Sequence, residues 1–115
     1  MLYKGGCHCG KVAFEVKAEL TGAARCNCSI CSRKGALLSA VPHKALRVLA
    51  WGDDLGSYTF GNHVIAHRFC RGCGIHPFAE DVGEGNERNA YINLHCVEGL
   101  DLAAVPVFDF DGRSA

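Results

Sequence analysis

The sequence carries no charge imbalance: twelve lysines and arginines face twelve aspartates and glutamates over 115 residues, and no run of like sign breaks the mixture. A nucleic-acid or anionic-membrane binder needs a basic face, so those partners are excluded and small molecules or proteins are favoured. Also lacking is any window near the roughly 18 uninterrupted apolar residues of a membrane span. Met1-Leu2-Tyr3-Lys4-Gly5-Gly6 has no apolar stretch of the signal-peptide kind, so the expectation is a cytoplasmic protein without membrane contact. Repeats, low-complexity tracts and linkers are missing as well. With 49% apolar residues, residues 1–115 are expected to form a single domain with one core.

Cysteine is what the chain has in excess. Seven of its eight cysteines fall in three tight groups, Cys7-His8-Cys9, Cys26-Asn27-Cys28-Ser29-Ile30-Cys31 and Cys70-Arg71-Gly72-Cys73. A secreted scaffold could pair eight cysteines in about 105 ways, but such scaffolds spread them along the chain. Tight groups without a secretion signal read as metal knuckles, with disulfides or redox thiols as the alternative.

Zinc–sulfur bonds of about 2.3 Å place neighbouring sulfurs of a tetrahedral site roughly 3.8 Å apart. Side chains at i and i+2 of an extended segment share a face, so Cys7 and Cys9 can reach one metal. Cys70 and Cys73 form a CxxC knuckle whose turn Gly72 and Gly74 relieve. Together the two pairs make a closed site able to hold the fold. Cys26, Cys28 and Cys31 offer sulfurs to a second metal, and a three-ligand site with one exchangeable position is the mark of catalytic zinc. Cys96 is the alternative closing ligand; otherwise it is a small buried thiol. An open zinc held by thiolates takes up an incoming thiol and acidifies it, which points to making or breaking a carbon–sulfur bond.

Val12, Phe14 and Val16 alternate with Ala13 and Glu15, which predicts a half-buried strand just after Gly10. Short apolar runs predict further strands over 36–41, 46–51, 55–60, 63–69, 91–96 and 107–110, with Gly61-Asn62 as a tight hairpin turn. Residues 22–35 read as a loop with one helical turn capped by Asn27 or Ser29, 81–88 as an exposed loop, and 100–105 as a short helical turn. The fold class expected is all-β with short strands.

The runs Gly6-Cys7-His8-Cys9-Gly10-Lys11-Val12-Ala13-Phe14-Glu15-Val16, Cys26-Asn27-Cys28-Ser29-Ile30-Cys31 with Gly35-Ala36, and Phe69-Cys70-Arg71-Gly72-Cys73-Gly74 carry a resemblance. The chain resembles the family of glutathione-dependent formaldehyde-activating enzymes and centromere protein V. The resemblance implies a β-tent fold of small antiparallel sheets and two zinc ions per chain. It implies a structural zinc on Cys7, Cys9, Cys70 and Cys73 and a catalytic zinc on Cys26, Cys28 and Cys31. The activity it implies is that of a carbon–sulfur lyase, joining formaldehyde and glutathione into S-hydroxymethylglutathione. The expected function is therefore zinc-dependent, reversible addition of a glutathione-like thiol to a small, formaldehyde-like aldehyde. Its alternatives are a non-catalytic zinc-scaffolded binding module, which a Cys96 ligand would favour, and a thiol redox protein.

Outside the cysteines, His67, His76 and His95 are candidates for proton donation, since histidine titrates near neutrality. His8, between two ligands, is expected to point away from the metal. Arg33 and Lys34 could pair with carboxylates of a glutathione-like ligand or remain solvated. Ser29 could donate to a metal-bound sulfur or cap a turn. Trp51, Tyr58, Phe60, Phe69 and Phe78 are expected in the core.

Overall fold

The alternation at Val12, Phe14 and Val16 becomes a strand with all three side chains buried, in a computed structural model that describes residues 1–50, 52–83, 85 and 87–114. Leu2–Gly6 (β1) pairs antiparallel with this strand, Val12–Lys17 (β2). The chain then passes into a second sheet through Ala23–Cys26 (β3), the short helix Ser29–Lys34 (α1) and Leu38–Pro42 (β4). Leu46–Ala50 (β5) returns to β2, so the first sheet runs β1-β2-β5. Leu55–Tyr58 (β6), Ile65–Cys70 (β7), Phe78–Asp81 (β8), Asn89–Asn93 (β9) and Val107–Phe110 (β10) complete the second, in the order β10-β3-β4-β9-β8-β7-β6. The class is all-β, built from small sheets as expected. The strand pairs are antiparallel apart from β10 on β3, which is parallel.

The core lies where the sheets face each other. Phe14 and Val16 meet Val41, Phe78, Ala90 and Ile92, and the Phe14 and Phe78 rings stand edge to face with centroids 6.4 Å apart. Each such buried side chain contributes about 1.5–3 kcal/mol, enough to fix both sheets' registers. Among the described residues no helix is long and apolar enough to cross a membrane.

Several local expectations change. The strand expected over 91–96 stops at Asn93, because its Oδ1 accepts the His95 N–H at 3.2 Å and starts a 3₁₀ turn, Leu94–Cys96. Gly61 and Asn62 do turn the chain, with the His63 N–H on the Phe60 carbonyl at 3.0 Å. They form the apex of a wider loop and not a two-residue hairpin, since the last β6 pairing joins Tyr58 to His67. Tyr58 and Phe60, expected in the core, are 53% and 37% exposed and stack on each other with centroids 6.0 Å apart. Trp51 lies outside the described residues. β1, β3 and β8 were not expected. In β1 the pattern is hidden by Gly5, where a Cβ would strike the Cys96 carbonyl and the Phe14 ring.

Candidate metal centres and reaction cavity

Two turns bring the first cysteine set together. The β1–β2 turn carries Cys7 and Cys9, with the Cys7 N–H on the Val12 carbonyl at 2.9 Å, and the turn after β7 carries Cys70 and Cys73, with the Gly74 N–H on the Cys70 carbonyl at 2.8 Å. All four sulfurs lie within 4.8 Å of one another. Cys7 and Cys9 are 3.6 Å apart and Cys9 and Cys70 3.5 Å, close to the roughly 3.8 Å edge of a tetrahedral thiolate site. Val12 and Gly72 donate backbone N–H groups to the Cys7 and Cys70 sulfurs at 3.4 and 3.3 Å. The Ile75 N–H holds the Cys73 thiol down to about 6. Cys9 is pushed up to about 11: the Lys11 N–H draws it down, but the Cys70 sulfur beside it prevails. Crowded thiols split in this way because they cannot all ionise side by side, and a divalent cation removes that conflict. The set fits a metal ion.

The second set is local. Cys26 ends β3, Cys28 is the N-cap of α1, and Cys31 is buried inside the helix. The cap is the Cys28 sulfur, which accepts the Cys31 N–H at 3.4 Å, so neither Asn27 nor Ser29 serves as expected. One side chain here both starts the helix and joins the cluster. Cys28 in turn donates its N–H to the Cys26 sulfur at 3.4 Å. The three sulfurs again lie within 4.8 Å of one another. Burial, then the Cys28 sulfur, pushes the Cys31 thiol up to about 12. Burial also opposes ionisation of Cys28, yet the Cys31 N–H keeps that thiol below its ordinary value. This set too fits a divalent cation, with one coordination position left over.

The C-terminal segment clasps this corner. Asn27 donates to Asp111 Oδ1 at 2.9 Å and accepts the Arg113 N–H at 2.9 Å, while its own N–H reaches the Phe110 carbonyl at 3.2 Å. Gly112 lies directly on the cluster: a Cβ there would strike the Cys26 sulfur and stand 3.2 Å from Cys28 Cβ. Sequence reasoning missed these residues, and their signal was only Asp111-Gly112-Arg113, which reads as an ordinary turn.

The second set opens on a cavity of about 720 Å³ whose walls include Ile65, Phe60, Phe108 and Phe110. His67 lines the same cavity, is 7% exposed, and stacks on Phe60 at 5.6 Å. Burial, then the charge of Lys34, lowers its pKa, so the ring is neutral at pH 7. His76 and His95 line a different cavity, of about 870 Å³, beside Cys7. His76 donates Nδ1–H to the Arg68 carbonyl at 2.7 Å, and burial, then Lys34, pushes it down to about 4. Of the three candidate histidines, His67 is therefore the one that shares a cavity with the open cluster. His8 is exposed, as expected.

Cys96 does not join the second set. It lines the other cavity with Cys7, and burial, then Cys7 and Cys73, pushes its thiol up to about 11. The 3₁₀ turn at Leu94–Cys96 places it there in place of the continuous strand that could have carried it elsewhere. Arg33 folds back onto the Ser29 carbonyl at 2.6 Å, and Lys34 lines the His76 cavity. Neither lines the cavity over the second set. The sulfurs of that set accept backbone N–H groups, with no bond from the Ser29 hydroxyl among the described residues.

A family model described as glutathione-dependent formaldehyde-activating enzyme matches residues 2–106. The crystal structure of a Rhodobacter sphaeroides protein is similar at 34% sequence identity and a TM-score of 0.77, over 91% of this chain and 99% of that one. The family match ends before β10, so Phe108, Phe110 and Gly112 stand beyond it.

Proposed function

The chain belongs to the glutathione-dependent formaldehyde-activating enzyme family, and on that premise we propose that it is a carbon–sulfur lyase that adds a thiol reversibly to a small aldehyde. Cys7, Cys9, Cys70 and Cys73 would hold a structural zinc, and Cys26, Cys28 and Cys31 a catalytic one. Bound at the second set, zinc supplies Lewis-acid stabilisation and acidifies an incoming thiol. The chain's own residues do the rest. Backbone N–H groups of Cys28 and Cys31 orient the Cys26 and Cys28 sulfurs. The apolar walls keep bulk water from the adduct. His67, neutral in the same cavity, accepts the thiol proton at a ring nitrogen and returns it to the aldehyde oxygen as the carbon–sulfur bond forms.

The observation that carries this reading is a three-sulfur set at a ligand-sized cavity beside a complete four-sulfur set. A Cys96 ligand at the second set would have favoured the binding-module alternative, and Cys96 lies beside the first. The test is exchange spectroscopy of formaldehyde with a thiol, starting with glutathione, in the presence of zinc-loaded protein. Acceleration should appear, disappear in Cys28→Ala, and fall by about 10²–10⁴ in His67→Ala. Uncatalysed exchange rates with every thiol tried would overturn the proposal.

A further inference from the structure

Glutathione carries two carboxylates and one ammonium group, and a cavity that selects it needs cationic partners for the carboxylates. The lining of the cavity over Cys26, Cys28 and Cys31 supplies none. Its lining includes no lysine or arginine among the described residues, and the charged side chain it does include is Glu19. Glu19 bears the wrong sign, and its Oε1 already takes the N-terminal ammonium at 3.1 Å. The Tyr91 hydroxyl is committed to Asp81 at 2.9 Å. Of the two basic residues of α1, Arg33 bonds the Ser29 carbonyl and Lys34 lines the other cavity, from where its charge still reaches His67.

Apolar groups make up most of what remains. Phe60, Phe108 and Phe110 are 37%, 57% and 49% exposed, although rings of this size are normally buried, and all three line this one cavity with Ile30, Leu38 and Ile65. Aromatic side chains left open around a concave site, with a few polar groups at one place, describe a pocket for an apolar ligand. A carboxylate moved onto such walls loses its hydration without replacement, whereas an aryl or branched alkyl group gains by leaving water. Two of the three phenylalanine walls come from β10, outside the residues that the family model matches.

We propose that the thiol handled at the Cys26/Cys28/Cys31 set carries an apolar aryl or alkyl body, with β10 supplying the specificity-determining wall. The proposal rests on the carbon–sulfur lyase reading above and names its thiol class. In the step, the sulfur–hydrogen bond of the thiol breaks and a sulfur–carbon bond forms at the aldehyde. The proton ends on the former carbonyl oxygen, and nothing is oxidised or reduced.

The test is titration of cobalt-substituted protein with benzyl mercaptan and with glutathione, followed by the sulfur-to-cobalt absorption bands. Benzyl mercaptan should shift the bands at an apparent Kd about tenfold or more below that of glutathione. Phe108→Arg, at an exposed position, should keep both cobalt ions and narrow or reverse that preference. Equal or tighter binding of glutathione by the unaltered protein overturns the apolar-thiol proposal and leaves the lyase reading standing. A preference unchanged in Phe108→Arg overturns the role of β10. If neither thiol moves the spectrum, the open position itself is absent and the lyase reading falls together with this one.

Discussion

The two cysteine sets use the same side chain, with the sulfurs of each within 4.8 Å of one another, yet the chain builds them in opposite ways. In the first set even the nearest partners across the two turns, Cys9 and Cys70, are 61 residues apart along the sequence, whereas Cys28 and Cys31 of the second are three apart. A metal on the first set closes a long loop and ties the β1–β2 turn to the end of β7, so its binding free energy becomes folding free energy. A metal on the second set fastens a strand–helix corner that already has its cap, its C-terminal glycine and its clasp. The span of a ligand set, more than its ligand type, decides whether losing the metal unfolds the protein or only silences a site.

The largest expected effect separates the sets directly. Structural zinc contributes about 10–16 kcal/mol in small zinc domains, comparable with or above the usual stability of a domain of about 5–15 kcal/mol. Cys70→Ala should therefore be largely unfolded by far-UV circular dichroism and lose its metal. Cys28→Ala should lose one metal equivalent and keep a melting temperature within a few degrees of the parent. Similar melting of the two variants would erase the distinction.

Next in size is a pH effect on the first set's side of the molecule. His76 titrates at about 4 in the fold against 6.5 for the free side chain. The unfolded chain thus takes up a proton that the folded one refuses, and the stabilisation present above 6.5 is lost as pH falls toward 4. Between about pH 7 and pH 5 this amounts to about 2 kcal/mol. In His76→Gln the urea midpoint should fall less steeply over that range than in the parent. Thiol protonation is common to both proteins, so parallel slopes would show that His76 carries no such penalty.

The smallest effect sharpens the second set. Gly112→Ala puts a methyl group against the Cys26 sulfur, and disturbed outer contacts typically weaken metal affinity about 10–100-fold. Chelator competition should show that loss for one of two metal equivalents only. Equal weakening of both, or of neither, would mean that the clasp does not bear on the second set.

Legibility in the sequence followed the range of the interaction. The sulfur groupings could be read because metal–ligand distances leave few ways to space cysteines on a turn, and β2 because alternation records its buried face. Cys96 could not be placed, since its position depends on a side-chain cap at Asn93 that interrupts a perfectly regular alternation. Phe60, Phe108 and Phe110 have core-like chemistry, and only tertiary structure shows them around one cavity, with Tyr58 at the other. The clasp of Asn27 on Asp111 and Arg113 spans 84 and 86 residues, and no local pattern announces a contact of that range.

A ribosome delivers Cys26, Cys28 and Cys31 almost together, well before Cys70 and Cys73 emerge. The near set is complete in the nascent chain while the far set is still half built. β10 appears after both, and its parallel pairing with β3 sets Phe110 beside Cys26, with Gly112 following against the Cys26 sulfur. The set whose sulfurs emerge first is thus walled last.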